Sequence, residues 1–303
     1  MAHSAERSPG PDPHVLAQLE GLYLRARRIV EGYVSGMHKS PLRGFSQEFA
    51  EHREYVPGDD PRYVDWKIYG RTDKYYVKRF EEETNLVCYL LVDTSRSMDF
   101  QSDAATESKR HYAETAASAL AYLILKQQDC VSLATYAGEI GTHVPPSGKP
   151  SHLKHLIEVM AEDSGGEDTR TGPIFHELAE RFRKRGIIVV LSDLLDDPES
   201  ILSGLRHFAY RRQEVVVGHI LDPAELDFPL EGDHEFRGLE GEGRLRVDSR
   251  SVRKAYKRRI QRHLREIETG CRARGIDYLL MRTDQPVENV LSEYLTKRAR
   301  FWG

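Results

Sequence analysis

Residues 90–100 read LLVDTSRSMDF, and the boundary inside this stretch decides the fold. Leu90, Leu91 and Val92 continue an apolar run that begins at Leu86. Asp93, Thr94, Ser95 and Ser97 then put four oxygen-bearing side chains into five positions. A short apolar run bounded by polar residues suits a strand buried on both faces. Such a strand, ending in carboxylate and hydroxyl groups, brings polar chemistry to the carboxyl edge of a sheet, where open α/β folds hold ligands.

Outward from this point the chain alternates apolar runs with amphipathic stretches. Strands are expected at 86–92, 130–136, 187–191, 214–220 and 277–281. Helices are expected at about 105–127, 151–161, 173–184, 198–210, 250–273 and 287–299. The alternation implies an α/β fold, a doubly wound and mostly parallel sheet with helices on both faces. EIGTHVPP, residues 139–146, follows the second strand after a short turn and reads as an antiparallel edge strand ended by prolines. Residues 225–249 interrupt the rhythm as a loop with a small hairpin.

Upstream, Leu16, Leu19, Leu22, Tyr23, Ala26, Ile29, Val30 and Tyr33 lie at helical spacing, so 14–35 is expected to be an amphipathic helix. Residues 1–13, polar and rich in Pro and Gly, read as a flexible lead-in without the apolar core of a secretion signal. Phe49–Val56 and Tyr75–Phe80 read as short strands, with a helix from Pro61 to Tyr69 between them.

The 303 residues allow one large or two modest domains, and 39% hydrophobic with 30% charged residues is a globular balance. A net charge of −4 argues against a molecule-wide nucleic-acid surface. No apolar run approaches the length of a membrane span. Cys88, Cys130 and Cys271 are odd in number and form no C-x-x-C pair. They read as reduced thiols, and a cytoplasmic location is expected.

The rim of such a sheet receives Asp93, Ser95 and Ser97 from the first strand and Asp193, after Ser192, from IIVVLSD. The loop SGGEDTRTG, 164–172, adds Asp168, Thr169 and Thr171. Two carboxylates and several hydroxyls are donors for a hard divalent cation, and magnesium needs few protein carboxylates. Helix capping by the same Ser and Thr residues is the structural alternative.

DTSRSM resembles the D-x-S-x-S signature of von Willebrand factor A-type domains, over roughly residues 86–285. The resemblance implies a metal-ion-dependent adhesion site of Asp93, Ser95, Ser97, Thr169 and Asp193, with Thr171 the neighbouring register for the loop threonine. The implied cofactor is Mg2+, or Mn2+ or Ca2+. Many A-type domains have Gly between the two serines. Here Arg96 stands there, a cation that either weakens ion binding or helps hold a partner carboxylate.

EFAEHREYVPGDDPRYVDWKIYGRTDKYYVKRFEEE, with PPSGKPSHLKHL and VVLSDLLD, is similar to the bacterial domain-of-unknown-function family number fifty-eight. That family joins such a segment to a von Willebrand A-like domain, and members often accompany MoxR-type AAA+ ATPases. The implied division is an N-terminal helix and signature extension over 14–85, then a von Willebrand A-like domain over 86–303. The implied function is a metal-dependent protein-interaction module or adaptor in protein remodelling or maturation. Within 49–83, Arg62, Trp66 and Arg71 are candidate interface anchors. An internal clamp of ion pairs and aromatic rings is the competing reading.

No nucleophile elbow with triad order and no phosphate-binding loop is present. A non-enzymatic role is expected. The alternative is a magnesium-dependent, phosphatase-like hydrolase using Asp93 and Asp193. Helix 250–273 carries a run of Arg and Lys that suits either phosphate contacts or a solvated outer face, with Val252, Tyr256, Ile260, His263, Leu264 and Ile267 inside. His152 and His155 read as surface histidines rather than metal ligands.

Overall fold

The computed structural model describes residues 13–36, 52–54, 69–71, 75–78, 86–166, 170–237 and 244–302. The chain forms two compact units, one of Met1–Ser40 with Leu86–Gly303 and one of Pro41–Asn85. In the smaller unit β1 (His52–Glu54) and β2 (Tyr76–Lys78) pair antiparallel. The Tyr69 and Tyr75 rings stack with centroids 4.4 Å apart. The expected flexible N-terminus, most of the Pro61–Tyr69 helix, Arg62 and Trp66 lie outside the described residues.

The larger unit starts with α1 (Pro13–Gly36) and continues with β3 (Val87–Asp93), a 3-10 turn (Arg96–Asp99) and α2 (Lys109–Lys126). Then come β4 (Cys130–Tyr136), β5 (Ile140–Ser147), α3 (His152–Glu162), α4 (Thr171–Arg181) and β6 (Gly186–Ser192). After α5 (Pro198–Tyr210) and β7 (Glu214–Leu221), the short α6 (Pro223–Asp227) leads into the hairpin β8 (Asp233–Arg237) and β9 (Arg244–Asp248). The chain closes with α7 (Ser249–Arg272), β10 (Asp277–Arg282) and α8 (Val287–Trp302).

The six-stranded sheet has the order β10-β7-β6-β3-β4-β5. All neighbours are parallel except β5, which pairs antiparallel with β4 at the edge and carries Pro145 and Pro146 there. Every residue of β3 is buried, because the strand lies in the middle of the sheet with helices on both faces. Side chains alternate across a strand, so Cys88, Leu90 and Val92 enter one core and Val87, Tyr89 and Leu91 the other. The first core is closed by α2, α3 and α8, with Leu22, Ala26 and Ile29 of α1 packed into it. The second is closed by α4, α5 and α7.

From β3 the chain moves to one side through β4 and β5, then returns to the other side with β6. The strand order therefore reverses between β3 and β6, the kind of position at which open α/β sheets hold ligands beyond the carboxyl ends of their strands. Asp93 ends β3, and Asp193 follows the last residue of β6.

Candidate metal centre

Asp93 has no exposure. Its Oδ1 accepts from the Ser95 amide at 2.9 Å, which folds the chain back over the carboxylate, and its Oδ2 accepts from the Ser192 hydroxyl at 2.6 Å. The turn also hydrogen-bonds the Ser95 and Ser97 hydroxyls to each other at 3.1 Å, with either as donor. An isolated bridge from Ser95 to Gly166, with the Arg96 amide donating to the Gly166 carbonyl at 3.1 Å, fixes the turn against the loop after α3. Burial pushes the Asp93 carboxyl up to about 7, and repulsion from Asp193 adds to it.

Asp193 is equally buried. Burial pushes its carboxyl up, but Lys109 outweighs that effect and holds it below the ordinary value, aided by the Ser97 hydroxyl. The Lys109 ammonium lies 2.7 Å from Asp193 Oδ2 and 2.6 Å from Glu225 Oε1, and its own side chain has no exposure. Burial disfavours that ammonium. The two carboxylates more than offset this and raise its pKa. Glu225 also accepts from the Asp222 amide at 2.9 Å in a capping box at the start of α6, so its position follows from a local helix signal.

The turn after Asp193 is backbone-strained. Leu194 is fully buried with a φ of +48°, a left-handed conformation that L-residues other than Gly, Asn and Asp seldom take. Three contacts hold it. Its amide donates to Ser192 Oγ at 2.9 Å, His263 Nε2 donates to its carbonyl at 2.8 Å, and His219 Nε2 donates to the Asp193 carbonyl at 2.7 Å. Burial lowers the His219 pKa to about 4, so the ring is neutral and its Nδ1 accepts from the Tyr278 hydroxyl at 2.9 Å.

Four of the five sequence-derived ligands, Asp93, Ser95, Ser97 and Asp193, thus meet at the strand-order reversal. Thr169 lies outside the described residues. Thr171, its neighbouring register, is buried at the first turn of α4. Its amide donates to Asp196 Oδ2 at 3.0 Å, and its hydroxyl has no hydrogen-bond partner among the described residues. Arg96 is exposed beside the serines. Arg71 is exposed in the smaller unit. His152 differs from its expected surface position: it is buried, with its ring nitrogen 3.0 Å from the Val131 carbonyl.

Among the described residues no group of three or more His, Cys, Asp or Glu is placed to hold a metal ion. The candidate set is of another kind, two carboxylates with hydroxyls. Its donor chemistry fits a hard cation, and adjacent oxygens around an octahedral magnesium lie about 3 Å apart, as the two serine hydroxyls do. A buried carboxylate at Asp93 without an ion-pair partner among the described residues fits as well. Asp193 fits less simply, because one of its oxygens is already taken by Lys109.

Lys109, Glu225, His219 and His263 were not anticipated as parts of this centre. One signal did exist for Lys109. It opens α2 in the sequence KRH, with no acid in the first turn, against the helix dipole. A cation placed so unfavourably points to a fixed partner elsewhere.

Among relatives, an uncharacterized protein of Mycobacterium tuberculosis is 29% identical over 294 residues, which is 95% of this chain and 91% of that protein. An uncharacterized protein of Mycobacterium bovis matches to the same extent. Among solved structures, the conserved hypothetical protein BatB from Bacteroides thetaiotaomicron is 18% identical, with a TM-score of 0.47, over 71% of this chain and 99% of that one. An aerotolerance-related membrane protein from Bacteroides fragilis is 16% identical, with a TM-score of 0.46, over 71% and 99%. At these scores neither structural likeness extends to function. In the larger unit no described helix is long and apolar enough to cross a membrane. The family described as "Protein of unknown function DUF58" matches residues 51–266, most of the chain, including both carboxylates, the serine turn and most of the basic helix α7. The chain belongs to the DUF58 family.

Proposed function

We propose that this chain is a divalent-cation-dependent protein-interaction module whose larger unit is von Willebrand A-like. Magnesium is the preferred ion, with manganese or calcium as alternatives, and Asp93, Ser95, Ser97 and Asp193 would hold it together with Thr169. One observation carries the reading. Two buried carboxylates and two neighbouring hydroxyls lie at the strand-order reversal between β3 and β6, and the Lys109 ammonium there is committed to Asp193 and Glu225, leaving Asp93 without an ion-pair partner among the described residues.

Bound there, a divalent cation supplies a positive centre that a partner's carboxylate can complete. The hydroxyls of Ser95 and Ser97 would add no charge to it. Lys109 is shared between Asp193 and Glu225, so with Asp93 ionised these four side chains carry two net negative charges, which a divalent cation would neutralise; the partner's carboxylate would then be held by coordination to the ion rather than by net charge. Arg96, exposed on the turn, would add a positive charge on the side from which that carboxylate approaches. The partner class is a MoxR-type AAA+ ATPase, which rests on the family resemblance, and the role is that of a cytoplasmic adaptor in protein remodelling or maturation. In a phosphatase-like reading a magnesium ion held by Asp93 and Asp193 would activate water, and that reading lacks a general base or nucleophile beside the two carboxylates among the described residues.

Calorimetric titration of the full chain with magnesium chloride tests the reading. Heat of binding is expected for the wild type and none for Asp93→Ala, with pull-down of the ATPase lost in parallel. Absence of heat with magnesium, manganese and calcium alike would remove the cation from the account.

A further inference from the structure

We infer that the groove between α5 and α7 is a docking surface for an acidic, amphipathic polypeptide segment of a partner. α7 carries nine Arg or Lys and two Glu in its 24 residues, seven net positive charges on a chain whose net charge is −4. Part of that charge is spent internally: Arg272 pairs with Glu268 at 2.6 Å and Arg250 with Asp248 at 3.4 Å. Arg206 of α5 and Arg262 and Arg265 of α7 are exposed, and no carboxylate pairs with them among the described residues. They line a groove of about 1050 Å3.

A Cβ built on Gly270 would come within 2.6 Å of Leu202 Cδ2, so α5 and α7 touch there, and Leu202 lines the groove together with the arginines. An acidic segment can set carboxylates against Arg206, Arg262 and Arg265 while covering Leu202 with an apolar side chain. Charge complementarity of this kind directs association and selects partners.

The lining itself favours a polypeptide over a nucleic acid. Asp197, Glu199 and Glu266 also face the groove. A duplex carries a phosphate charge about every 1.7 Å along its axis and cannot avoid them. A polypeptide can space its acids to skip them. The groove also reaches the metal-centre loop: Asp197, which caps α5 through the Ser200 amide at 2.8 Å, is four residues beyond Asp193. His263, one residue from Arg262, holds the Leu194 carbonyl. The docking surface does not require an ion, so it stands or falls separately from the proposed cation site.

The test is fluorescence anisotropy on the full chain in EDTA. The probes are a labelled peptide of alternating Glu and Leu, the same peptide with Lys for Glu, and a labelled double-stranded oligonucleotide. The acidic peptide is expected to bind, to weaken with added salt, and to lose about tenfold or more in affinity in Arg262→Glu/Arg265→Glu. Those positions are exposed, and a circular dichroism melt identifies any unfolding. The milder Arg265→Gln is expected to show a smaller loss in the same direction. No binding of the acidic peptide in EDTA, equal affinity in folded charge-reversal protein, or tighter binding of the oligonucleotide would each overturn the proposal.

Discussion

Lys109 stands in the first turn of α2, where a cation meets the positive end of the helix dipole, yet its side chain has no exposure. Asp193 and Glu225 compensate for that placement. Removing the ammonium leaves two carboxylates buried without it, and breaking such a pair costs about 3–5 kcal/mol. Lys109→Met is therefore expected to lower the urea midpoint sharply at pH 7. A midpoint within error of wild type would mean that the network contributes nothing. Asp93 gives a pH dependence of its own. Its folded pKa is raised to about 7, whereas an unfolded aspartate titrates at about 4. Across that window the folded state keeps a proton that the unfolded chain has released, so cation-free stability falls as pH rises from about 4 to about 7. Asp193 has the opposite shift, so its contribution is lost only at lower pH, as it becomes protonated. In EDTA, Asp93→Asn is expected to flatten the slope between pH 4 and 7, measured by thermal melts. An unchanged slope would assign it to another group. The oxygens at Asp93, Ser95, Ser97 and Asp193 were readable from their place after apolar runs. Lys109 carried only the hint of its unfavourable place at the start of α2, because a helix pattern records which face is buried but not which distant acid a lysine reaches.

Helices and strands of the larger unit fall close to their sequence-derived bounds, because each strand is a short apolar run and most helices have a distinct apolar face; α2 differs, being buried all round from Tyr112 to Ala121. α5 begins at Pro198 behind the capping Asp197, and α7 begins behind the capping Asp248, so both starts follow from local chemistry. What periodicity does not contain is how closely two helices approach. At the α4–α5 contact, a Cβ on Gly204 would lie 2.6 Å from Phe175 Cβ and 2.9 Å from the Gly172 carbonyl, and one on Gly172 would lie 2.6 Å from the Ser200 carbonyl. The helices meet through backbone, and a methyl group there must push them apart. Gly204→Ala is expected to destabilise by about 1–3 kcal/mol despite its better helix propensity. A gain in melting temperature would show that the contact yields. The short helix α6 has no counterpart among the expected elements, where residues 225–249 are a loop with a small hairpin. Its five residues are too few for a periodic signal, and only the Asp222–Glu225 capping box marks it.

Taken over the full larger unit, the sheet gathers charge that the chain scatters. Asp93, Lys109, Asp193 and Glu225 span 133 positions of sequence, and all four reach the carboxyl side of the sheet. A ligand that binds only the folded protein stabilises it by mass action, about 2.7 kcal/mol at a hundredfold excess over Kd. Magnesium at millimolar concentration is therefore expected to raise the wild-type melting temperature and to leave Asp93→Ala unmoved. Equal shifts in the two proteins would point to ions bound elsewhere. α1 belongs to this unit although the sequence groups it with the signature extension. Leu22 and Ala26 are buried against the first core, and Arg25 forms a two-pronged pair with Glu107, both contacts at 2.9 Å.

The order of strands and helices, the placement of oxygens after two strands and the basic face of α7 were fixed by local pattern. Strand length, helix periodicity and capping act within a few residues and leave their mark in any single stretch. The pairing of Lys109 with Asp193 and Glu225, the left-handed turn at Leu194 held by His219 and His263, and the groove lined by Arg206, Arg262 and Arg265 arose from packing. Each depends on which helix lies over which strand, and the free energy that selects that arrangement comes from burial and charge matching between residues remote in sequence.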